Sequence, residues 1–151
     1  MDKKIYRMPG IEETPYGPIT HKKTKMLFLD DRSKRLHSAL EKFSDEFEVI
    51  LVCNVRECLR YLARFDFAVV SLDHDLHGMD FEDPDSEIDG MEIVRYLEKT
   101  GWPKNKPKPT FHVHSSNIFA AHLMVTRLLA MGFFAEWKRF EYPKNMHANY
   151  I

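Results

Sequence analysis

Two short acidic stretches of this sequence carry the side chains that are best suited to chemistry. Asp30 and Asp31 follow the apolar run LFL, and Asp73, His74 and Asp75 follow the run VVSL. Carboxylates that lie close together repel one another unless a cation stands between them. These ligands are hard oxygen atoms, and the two cysteines of the chain lack the paired spacing of zinc ligands. Asp30, Asp31, Asp73 and Asp75 are therefore predicted to bind Mg²⁺ or Mn²⁺.

A third polar stretch, HSSN, supplies groups that suit a phosphate. Ser115, Ser116 and Asn117 precede an apolar, helix-like segment, and the first backbone N–H groups of a helix favour anions. Arg32, beside the acidic pair, would offset the charge of a phosphate. The sequence thus predicts Ser115, Ser116, Asn117 and Arg32 as phosphate-binding residues.

Four residues are candidates for the chemistry itself. His74 and His114 stand beside carboxylates or hydroxyl groups and are suited to move protons during cleavage of a phosphoester. Asp73, or a water held by the metal, would attack phosphorus. Lys138, after the last apolar run, would hold a phosphate oxygen.

Apolar runs and amphipathic segments alternate along the chain and must position these residues. The runs predict strands at 25–29, 47–52, 67–72, 111–114 and 133–138. Helical spacing and caps predict helices at 33–44, after Asn54, at 90–100 and after Asn117. Strands that alternate with helices favour a parallel sheet with helices on both faces.

The predicted fold class is a three-layer α/β sandwich around a five-stranded parallel sheet of order 2-1-3-4-5. In that order, the charged ends of strands one, three, four and five meet at one edge, where open parallel sheets bind ligands. The α/β domain is expected at 23–151, after a turn-rich N-terminal extension, 1–22, in which Ile5–Met8 pairs with Ile19–His21 as a hairpin. Only EYPKNMHANYI follows Phe140, so a fifth helix is expected to be missing or truncated.

Composition argues against several other classes of protein. With 44% hydrophobic and 13% aromatic residues the chain can bury a core, and its net charge of −1 argues against a binder of duplex DNA or of membrane surfaces. No apolar run approaches the roughly 20 residues of a membrane span. The polar N-terminus, MDKKIYRMPG, is unlike a signal peptide, and the two cysteines suit a reduced, cytoplasmic protein.

The order of these motifs resembles a response-regulator receiver domain. The resemblance lies in LFLDDR, SLDHD, a helix headed by DG, a hydroxyl residue after strand four and a lysine after strand five. It implies a flavodoxin/receiver-like (CheY-like) fold in which Asp30, Asp31 and Asp73 hold Mg²⁺ and Asp73 accepts a phosphoryl group. The positions that match the hydroxyl residue and the lysine are Ser115 or Ser116, and Lys138.

Four motifs more closely resemble one offshoot, the cyclic-phosphate-processing receiver domains: LDDR, SLDHDL, IDGMEIVRYL and HVHSSN. This resemblance covers about Lys25 to Phe140. It implies a single-domain protein of bacteria or their phages that acts on cyclic phosphates of nucleotides or RNA ends.

Three features depart from signalling receivers. A long acidic insert separates Asp73 from Asp89 of the DG pair, and the fifth helix, whose face commonly mediates output dimers, is expected to be missing or truncated. His74 and His114 beside the acidic residues are untypical as well. These departures favour cleavage of a phosphoester over phospho-relay.

Each assignment competes with a purely structural one. Asp30 and Asp31 would also suit the cap of the first helix, since Asp favours such positions. The acidic insert would also suit a solvated loop. His74 would equally fit as an outward-facing polar residue, and His114 as a hydrogen-bonded histidine of the core.

The sequence favours a hydrolase, a Mg²⁺- or Mn²⁺-dependent phosphoesterase whose substrate is a cyclic phosphate of a nucleotide or an RNA end. The alternative is a non-catalytic receiver-like module that is phosphorylated at Asp73, or that sequesters a nucleotide signal or a partner protein. The histidines and the acidic insert favour the enzyme.

Overall fold

The computed structural model describes residues 11–14, 17–20, 23–76 and 89–141 of the chain. Its first two strands, β1 (Ile11–Thr14) and β2 (Gly17–Thr20), form an antiparallel hairpin that is a sheet of its own. Within the described part of the chain, no helix has the length and apolarity that a membrane crossing requires.

The N-terminal hairpin has a different first strand from the predicted one. Ile19 pairs with Glu12 and not with a residue of Ile5–Met8, a segment that lies outside the described residues, as does His21. Only two residues separate β1 from β2, which is the commonest length for a hairpin connection. Closing this short loop costs less chain entropy than the longer closure that the predicted pairing needed.

Five further strands and four helices make up the rest of the described chain. The strands are β3 (Lys25–Leu29), β4 (Glu48–Val52), β5 (Val69–Leu72), β6 (Thr110–Val113) and β7 (Ala135–Trp137). The helices are α1 (Ser33–Phe43), α2 (Val55–Arg64), α3 (Met91–Thr100) and α4 (Ile118–Ala130). The predicted strands and helices all exist, and most differ from the prediction by one or two residues at their ends.

All neighbouring strands of the larger sheet are parallel, in the order β4-β3-β5-β6-β7. This is the predicted order 2-1-3-4-5. Apolar side chains lie on both faces of the sheet and pack against helices on both sides. The predicted three-layer α/β sandwich is therefore confirmed.

Two groups of buried apolar side chains hold the layers together. On one face, Leu27 and Leu72 of the sheet pack with α2, α3 and α4. On the other face, Phe28 and Met26 pack with α1 and with Phe140, which follows β7. Burial of each such side chain stabilises the fold by roughly 1.5–3 kcal/mol. Alternate apolar residues of β3 therefore attach the helices on both faces to the sheet.

Helix ends are set by the residues that the sequence marks. The Asn54 side chain accepts a hydrogen bond from the Glu57 N–H at 2.9 Å, as the predicted cap requires. The Asn117 side chain likewise accepts from the Ala120 N–H at 3.2 Å. Gly101 ends α3 with a positive φ of 72°, a conformation that glycine adopts without strain.

The buried face of α1 includes polar residues as well as most of its apolar stripe. The stripe Leu36, Ala39, Leu40, Phe43 predicts the contact face, but Leu40 is 41% exposed. Arg35, Ser38 and Ala39 are the buried residues of the helix. Leu36 and Phe43 pack against Met26 and Phe28, and Arg35 meets anionic partners at the end of the sheet.

The backbone ladder continues one residue beyond the ends of the strands. The residue after β3, β5, β6 and β7 donates its N–H to the last residue of the neighbouring strand, at 2.8–3.1 Å. These bonds run from Asp30 to Val52, from Asp73 to Leu29, from His114 to Leu72 and from Lys138 to Val113. The ladder therefore aligns the polar residues that follow the strands along one edge.

Two predictions fall outside the described residues. Residues 77–88 contain His77 and nearly all of the acidic insert, and residues 142–151 contain the segment where a fifth helix is expected to be missing or truncated. The division into a 1–22 extension and a 23–151 domain stays a prediction.

Gly90, at the head of α3, sits against the backbone of the strand end. Its N–H donates to the His74 carbonyl at 2.8 Å, and a Cβ at this position would lie 1.8 Å from the Asp73 carbonyl oxygen. No side chain fits there unless the backbone shifts. The DG pair therefore brings α3 into direct contact with the residue at the end of β5.

We expect Gly90→Ala to lower the free energy of unfolding by about 2–4 kcal/mol, because the backbone itself must move. Urea denaturation of both proteins measures this difference. Lys99→Ala, at an exposed position of the same helix, is the control and should change stability little. A Gly90→Ala protein as stable as the control would contradict the close approach.

Candidate functional site

Four buried polar side chains meet at the carboxyl edge of the five-stranded sheet. Asp30 follows β3, Asp73 follows β5 and His114 follows β6. Arg35 reaches them from the beginning of α1. None is more than 8% exposed. The ends of three strands thus bring together three residues that the sequence selected, and a helix adds one that it did not.

His114 is held by contacts on three sides. Its Nε2 lies 3.0 Å from Asp30 Oδ2, and its Nδ1 lies 2.8 Å from the Ser71 hydroxyl. The ring stacks on Phe28 with the ring centres 4.4 Å apart and the planes 6° from parallel. Because a hydroxyl both donates and accepts, Ser71 supports either tautomer of His114. With the proton on Nδ1, Nε2 is available as a ligand.

Arg35 bridges the two carboxylates. Its Nη1 lies 3.2 Å from Asp30 Oδ2 and 3.5 Å from Asp73 Oδ2. The remaining carboxylate oxygens accept backbone N–H groups, Asp30 Oδ1 from Arg32 and Asp73 Oδ1 from His74, both at 2.9 Å. The backbone thus orients both carboxylates so that their other oxygens face the same guanidinium.

Asp30, Asp73 and His114 form what we term the carboxylate cluster. One ligand atom from each lies within 4.8 Å of the other two. Two carboxylate oxygens and an imidazole nitrogen at this spacing are able to surround one metal ion. Asp31 and Asp75, which the sequence also predicts as ligands, are not part of this cluster.

The two carboxylates differ in proton affinity. Burial raises the pKa of Asp73 to about 6, and the charge of Asp30 adds to this effect, while His114 and Arg35 oppose it. Burial also raises the pKa of Asp30, but the hydrogen bond and charge of His114, the Arg32 N–H and Arg35 together outweigh it. The pKa of Asp30 therefore lies below its usual value. Asp73 is thus the carboxylate that gains most from an additional cation.

A cavity of about 250 Å³ opens beside the carboxylate cluster. We term it the arginine cavity, and its lining residues are Arg32, Arg35, His114, Ser116, Arg139 and Phe140. Three arginines line one small space, and their positive charge favours an anion there. Arg35 and His114 belong to both the cavity and the carboxylate cluster.

A second buried group lies behind the strand end and is centred on His74. Its Nδ1 lies 2.6 Å from Asp75 Oδ1, and its Nε2 lies 3.3 Å from Asp89 Oδ2, close enough for an ion pair but not aligned as a hydrogen bond. Asn117 also donates to Asp75 Oδ1, at 3.2 Å. We term these four residues the His74 group. They connect the end of β5 to the starts of α3 and α4.

The structure places the other predicted residues as follows. Ser115 is buried, and its hydroxyl accepts the Asn117 N–H at 3.1 Å, whereas Ser116 is exposed and lines the arginine cavity. Lys138 is exposed and pairs with Glu136 at 3.5 Å. The next residue, Arg139, lines the cavity. The serine and the cation that line the cavity are thus Ser116 and Arg139, each one residue after Ser115 and Lys138.

Sequence reasoning missed Arg35, Arg139 and Phe140 in the site. Arg35 had a usable signal: it lies four residues before the buried Ala39, on the same face of α1, and five residues after Asp30. Arg139 and Phe140 follow the last strand without a periodic pattern, so only the end of β7 positions them. Asp89 was visible as part of DG, but its closeness to His74 depends on the fold.

We expect Asp73→Asn to be more stable than the parent protein in the absence of divalent metal, by a margin that grows with pH. The pKa of Asp73 is about 6 in the folded state against 3.8 ordinarily, so the folded protein holds this proton more tightly. Parent stability therefore falls as pH rises from about 4 to about 6, and asparagine removes that loss. The margin should grow by on the order of 2–3 kcal/mol.

Urea denaturation at pH 4 and pH 7.5, in chelator, measures this margin. Asp45→Asn, which removes an exposed carboxylate outside the site, is the control and should show no comparable pH dependence. A constant margin between parent and Asp73→Asn across this pH range would contradict the raised pKa.

Comparison with solved structures identifies the fold. The chain is similar to the chemotaxis response regulator CheY4 of Vibrio cholerae, with 18% identity, a TM-score of 0.53 and coverage of 80% of this chain and 89% of that one. It is similar to a CheY-like receiver domain from Methylobacillus flagellatus, with 15% identity, a TM-score of 0.56 and coverage of 80% and 90%. A third similar structure is the BeF3-activated DrrB receiver domain, with 18% identity, a TM-score of 0.50 and coverage of 83% and 91%. These likenesses show a receiver fold.

Comparison of sequences identifies the family. No match was found among curated proteins. Residues 25–130, more than half of the chain, match the family described as "Cyclic-phosphate processing Receiver domain". The matched segment includes the three strand ends that form the carboxylate cluster. The chain therefore belongs to the family of cyclic-phosphate processing receiver domains.

Proposed function

We propose that this protein is a metal-dependent phosphoesterase that opens a cyclic phosphate of a nucleotide or of an RNA end. The observation that carries the proposal is the direct contact between the carboxylate cluster and the arginine cavity, which share His114 and Arg35. The cluster attracts a cation and the cavity attracts an anion. A phosphate ester beside a divalent ion satisfies both.

The donor set supports a divalent metal and favours Mn²⁺ over Mg²⁺. Asp30 and Asp73 supply carboxylate oxygens, which suit both ions, and His114 supplies an imidazole nitrogen. Mg²⁺ binds almost entirely through oxygen, whereas imidazole suits transition metals. A divalent cation held by these residues would neutralise the charge that gathers between the carboxylates and a phosphate oxygen.

The arginine cavity supports a phosphate with an organic group attached. Arg32 and Arg139 present guanidinium groups that match phosphate geometry, and the Ser116 hydroxyl lies on the same wall. Phe140 adds an aromatic ring, 6.2 Å from the ring of His114 between centres. Aromatic rings bind nucleobases by stacking, so a nucleoside phosphate suits the cavity.

In the proposed reaction, water adds across one P–O bond of the cyclic ester, which yields a phosphomonoester and a free hydroxyl. The arginines would bind the phosphate oxygens, and their charge would stabilise the additional negative charge of the transition state. When a metal is bound, Ser71 would accept the proton on His114 Nδ1 and so leave Nε2 free to hold the ion. The His74 group would stabilise the segment that follows β5, since His74 is fully buried and lies between two carboxylates.

A second candidate function is a receiver-like module that accepts a phosphoryl group on Asp73 or holds a nucleotide without changing it. The observation in its favour is the position of Asp73 at the end of β5, with Oδ2 directed at Arg35. A phosphoryl group on that oxygen would lie beside a guanidinium. Beryllofluoride, which activates the similar DrrB receiver domain, is a suitable probe.

The proposed function predicts metal-dependent opening of one substrate in a panel of cyclic mono- and dinucleotides and 2′,3′-cyclic-phosphate RNA ends. Products are resolved by phosphorus NMR with Mn²⁺, with Mg²⁺ and with chelator. Asp73→Asn should lower the turnover rate about 100-fold or more, because the site loses a negative charge that binds the metal. Its unfolding stability shows that the variant is folded. Binding of an unaltered nucleotide, or a beryllofluoride adduct without turnover, would instead support the second candidate.

A pair of neighbouring substitutions tests which cation holds the phosphate. We expect Arg139→Met to raise KM about tenfold or more, since a hydrogen bond to a charged group contributes roughly 1.5–3 kcal/mol. Lys138→Met removes the same charge one residue earlier and tests the position that the sequence selected. Steady-state kinetics on the substrate found above distinguishes the two. A larger KM effect at Lys138 than at Arg139 would contradict the cavity assignment.

A further inference from the structure

We propose that Arg35 is a positioning residue that couples anion binding to metal binding. Without an anion, its guanidinium neutralises Asp30 and Asp73. An anion in the arginine cavity draws the guanidinium away and leaves both carboxylates to a divalent cation. The inference rests on the proposed function, because it assigns an order of binding to the same site.

The Arg35 side chain contacts both the carboxylates and the arginine cavity. Arg35 is 8% exposed, contacts Asp30 and Asp73 through Nη1 and also lines the arginine cavity. The oxygens that it contacts belong to the same two carboxylates that define the carboxylate cluster. A metal ion and the guanidinium therefore compete for the same negative charge.

Excess positive charge would accumulate if the metal ion and the Arg35 guanidinium both stayed beside the carboxylates. Two carboxylates carry a charge of −2, which a divalent ion alone would balance. A guanidinium held against the same oxygens would then repel that ion at close range, where burial weakens screening. Binding of the metal is thus opposed as long as Arg35 remains in place.

An anion in the cavity changes which position is favourable for the Arg35 guanidinium. Arg32 and Arg139 also line the cavity, so their positive charge disfavours a third guanidinium that turns further into it. A doubly charged anion reverses that balance and offers Arg35 two or more oxygen acceptors. Since coupling between two sites is reciprocal, the metal must then raise the affinity for the anion by the same factor.

The consequence for function is that substrate completes the metal site. A phosphate ester that enters the cavity would bind the Arg35 guanidinium. Asp30, Asp73 and His114 would then be available to the metal. Metal and substrate would bind weakly alone and tightly together. Arg35 would thereby distinguish anionic substrates from neutral ones before any bond is broken.

The test measures Mn²⁺ affinity of the full-length protein, by the electron paramagnetic resonance signal of free Mn²⁺, with and without sulfate. Sulfate is the probe because it carries two negative charges, does not precipitate Mn²⁺ and is not hydrolysed. Chloride at equal ionic strength is the reference. We expect sulfate to tighten Mn²⁺ binding to the parent protein about fivefold or more.

Two variants separate coupling from structural damage. Arg35→Met should bind Mn²⁺ about tenfold or more tightly without sulfate, and sulfate should no longer matter, whereas general damage to the site would weaken binding. Arg139 lines the same cavity from the segment after β7, and Arg139→Met leaves Arg35 against both carboxylates. This second variant should need more sulfate than the parent for the same tightening, and an unchanged sulfate requirement would contradict anion binding in the cavity.

A thermal measurement covers the case in which Arg35→Met folds poorly. Without metal this variant leaves two buried carboxylates without their guanidinium, so Mn²⁺ should raise its Tm more than it raises the Tm of the parent. A Tm increase that is equal or smaller in the variant would overturn the proposal.

The possible failures are distinguishable. Tight Mn²⁺ binding to the parent protein that sulfate does not alter would overturn the coupling and leave the phosphoesterase proposal standing. Mn²⁺ binding to Arg35→Met that is no tighter than to the parent would overturn the competition. Absence of Mn²⁺ binding in parent and variants alike would overturn both the coupling and the metal-dependent function.

Discussion

The burial of two carboxylates side by side is the constraint on which the rest of this structure depends. Asp30 and Asp73 are at most 3% exposed. They would repel one another if both were ionised without a cation beside them. Arg35 lies against both and supplies a compensating charge, and His114 contacts Asp30. The place of Arg35 on the buried face of α1, the stacking of His114 on Phe28 and the hydroxyl of Ser71 hold these two partners in place.

The fold makes this arrangement by ordinary backbone pairing. Parallel strands in register end at one edge, and the ladder bonds that continue past β3, β5 and β6 fix the backbone of Asp30, Asp73 and His114. Gly90 then allows α3 to approach the Asp73 carbonyl, and His74 lies between Asp75 and Asp89 behind it. The charged residues are thus placed by the backbone first, and their side-chain contacts follow from that placement.

Much of this could be predicted from the sequence, because period and position carry it. The alternation of apolar runs with helices predicted a parallel sheet, the resemblance to receiver domains implied its strand order, and residues directly after buried strands predicted where polar groups gather. What the sequence did not distinguish is the direction of individual side chains. Ser115 and Ser116, or Lys138 and Arg139, are neighbours that point differently, and no periodic pattern extends past the strand end to distinguish them. Arg35 was missed because its partners lie 5 and 38 residues away along the chain.

The walls of the arginine cavity bear on the choice between the two candidate functions. A phosphoryl group on Asp73 requires a cation beside it, and Arg35 alone would suffice. It requires neither two further guanidinium groups nor an aromatic ring. Arg139 and Phe140 line the cavity and Asp73 does not, so these two residues would meet the remainder of a larger anion. A substrate that carries its phosphate on an organic group uses every wall of this cavity, and for that reason we favour the phosphoesterase.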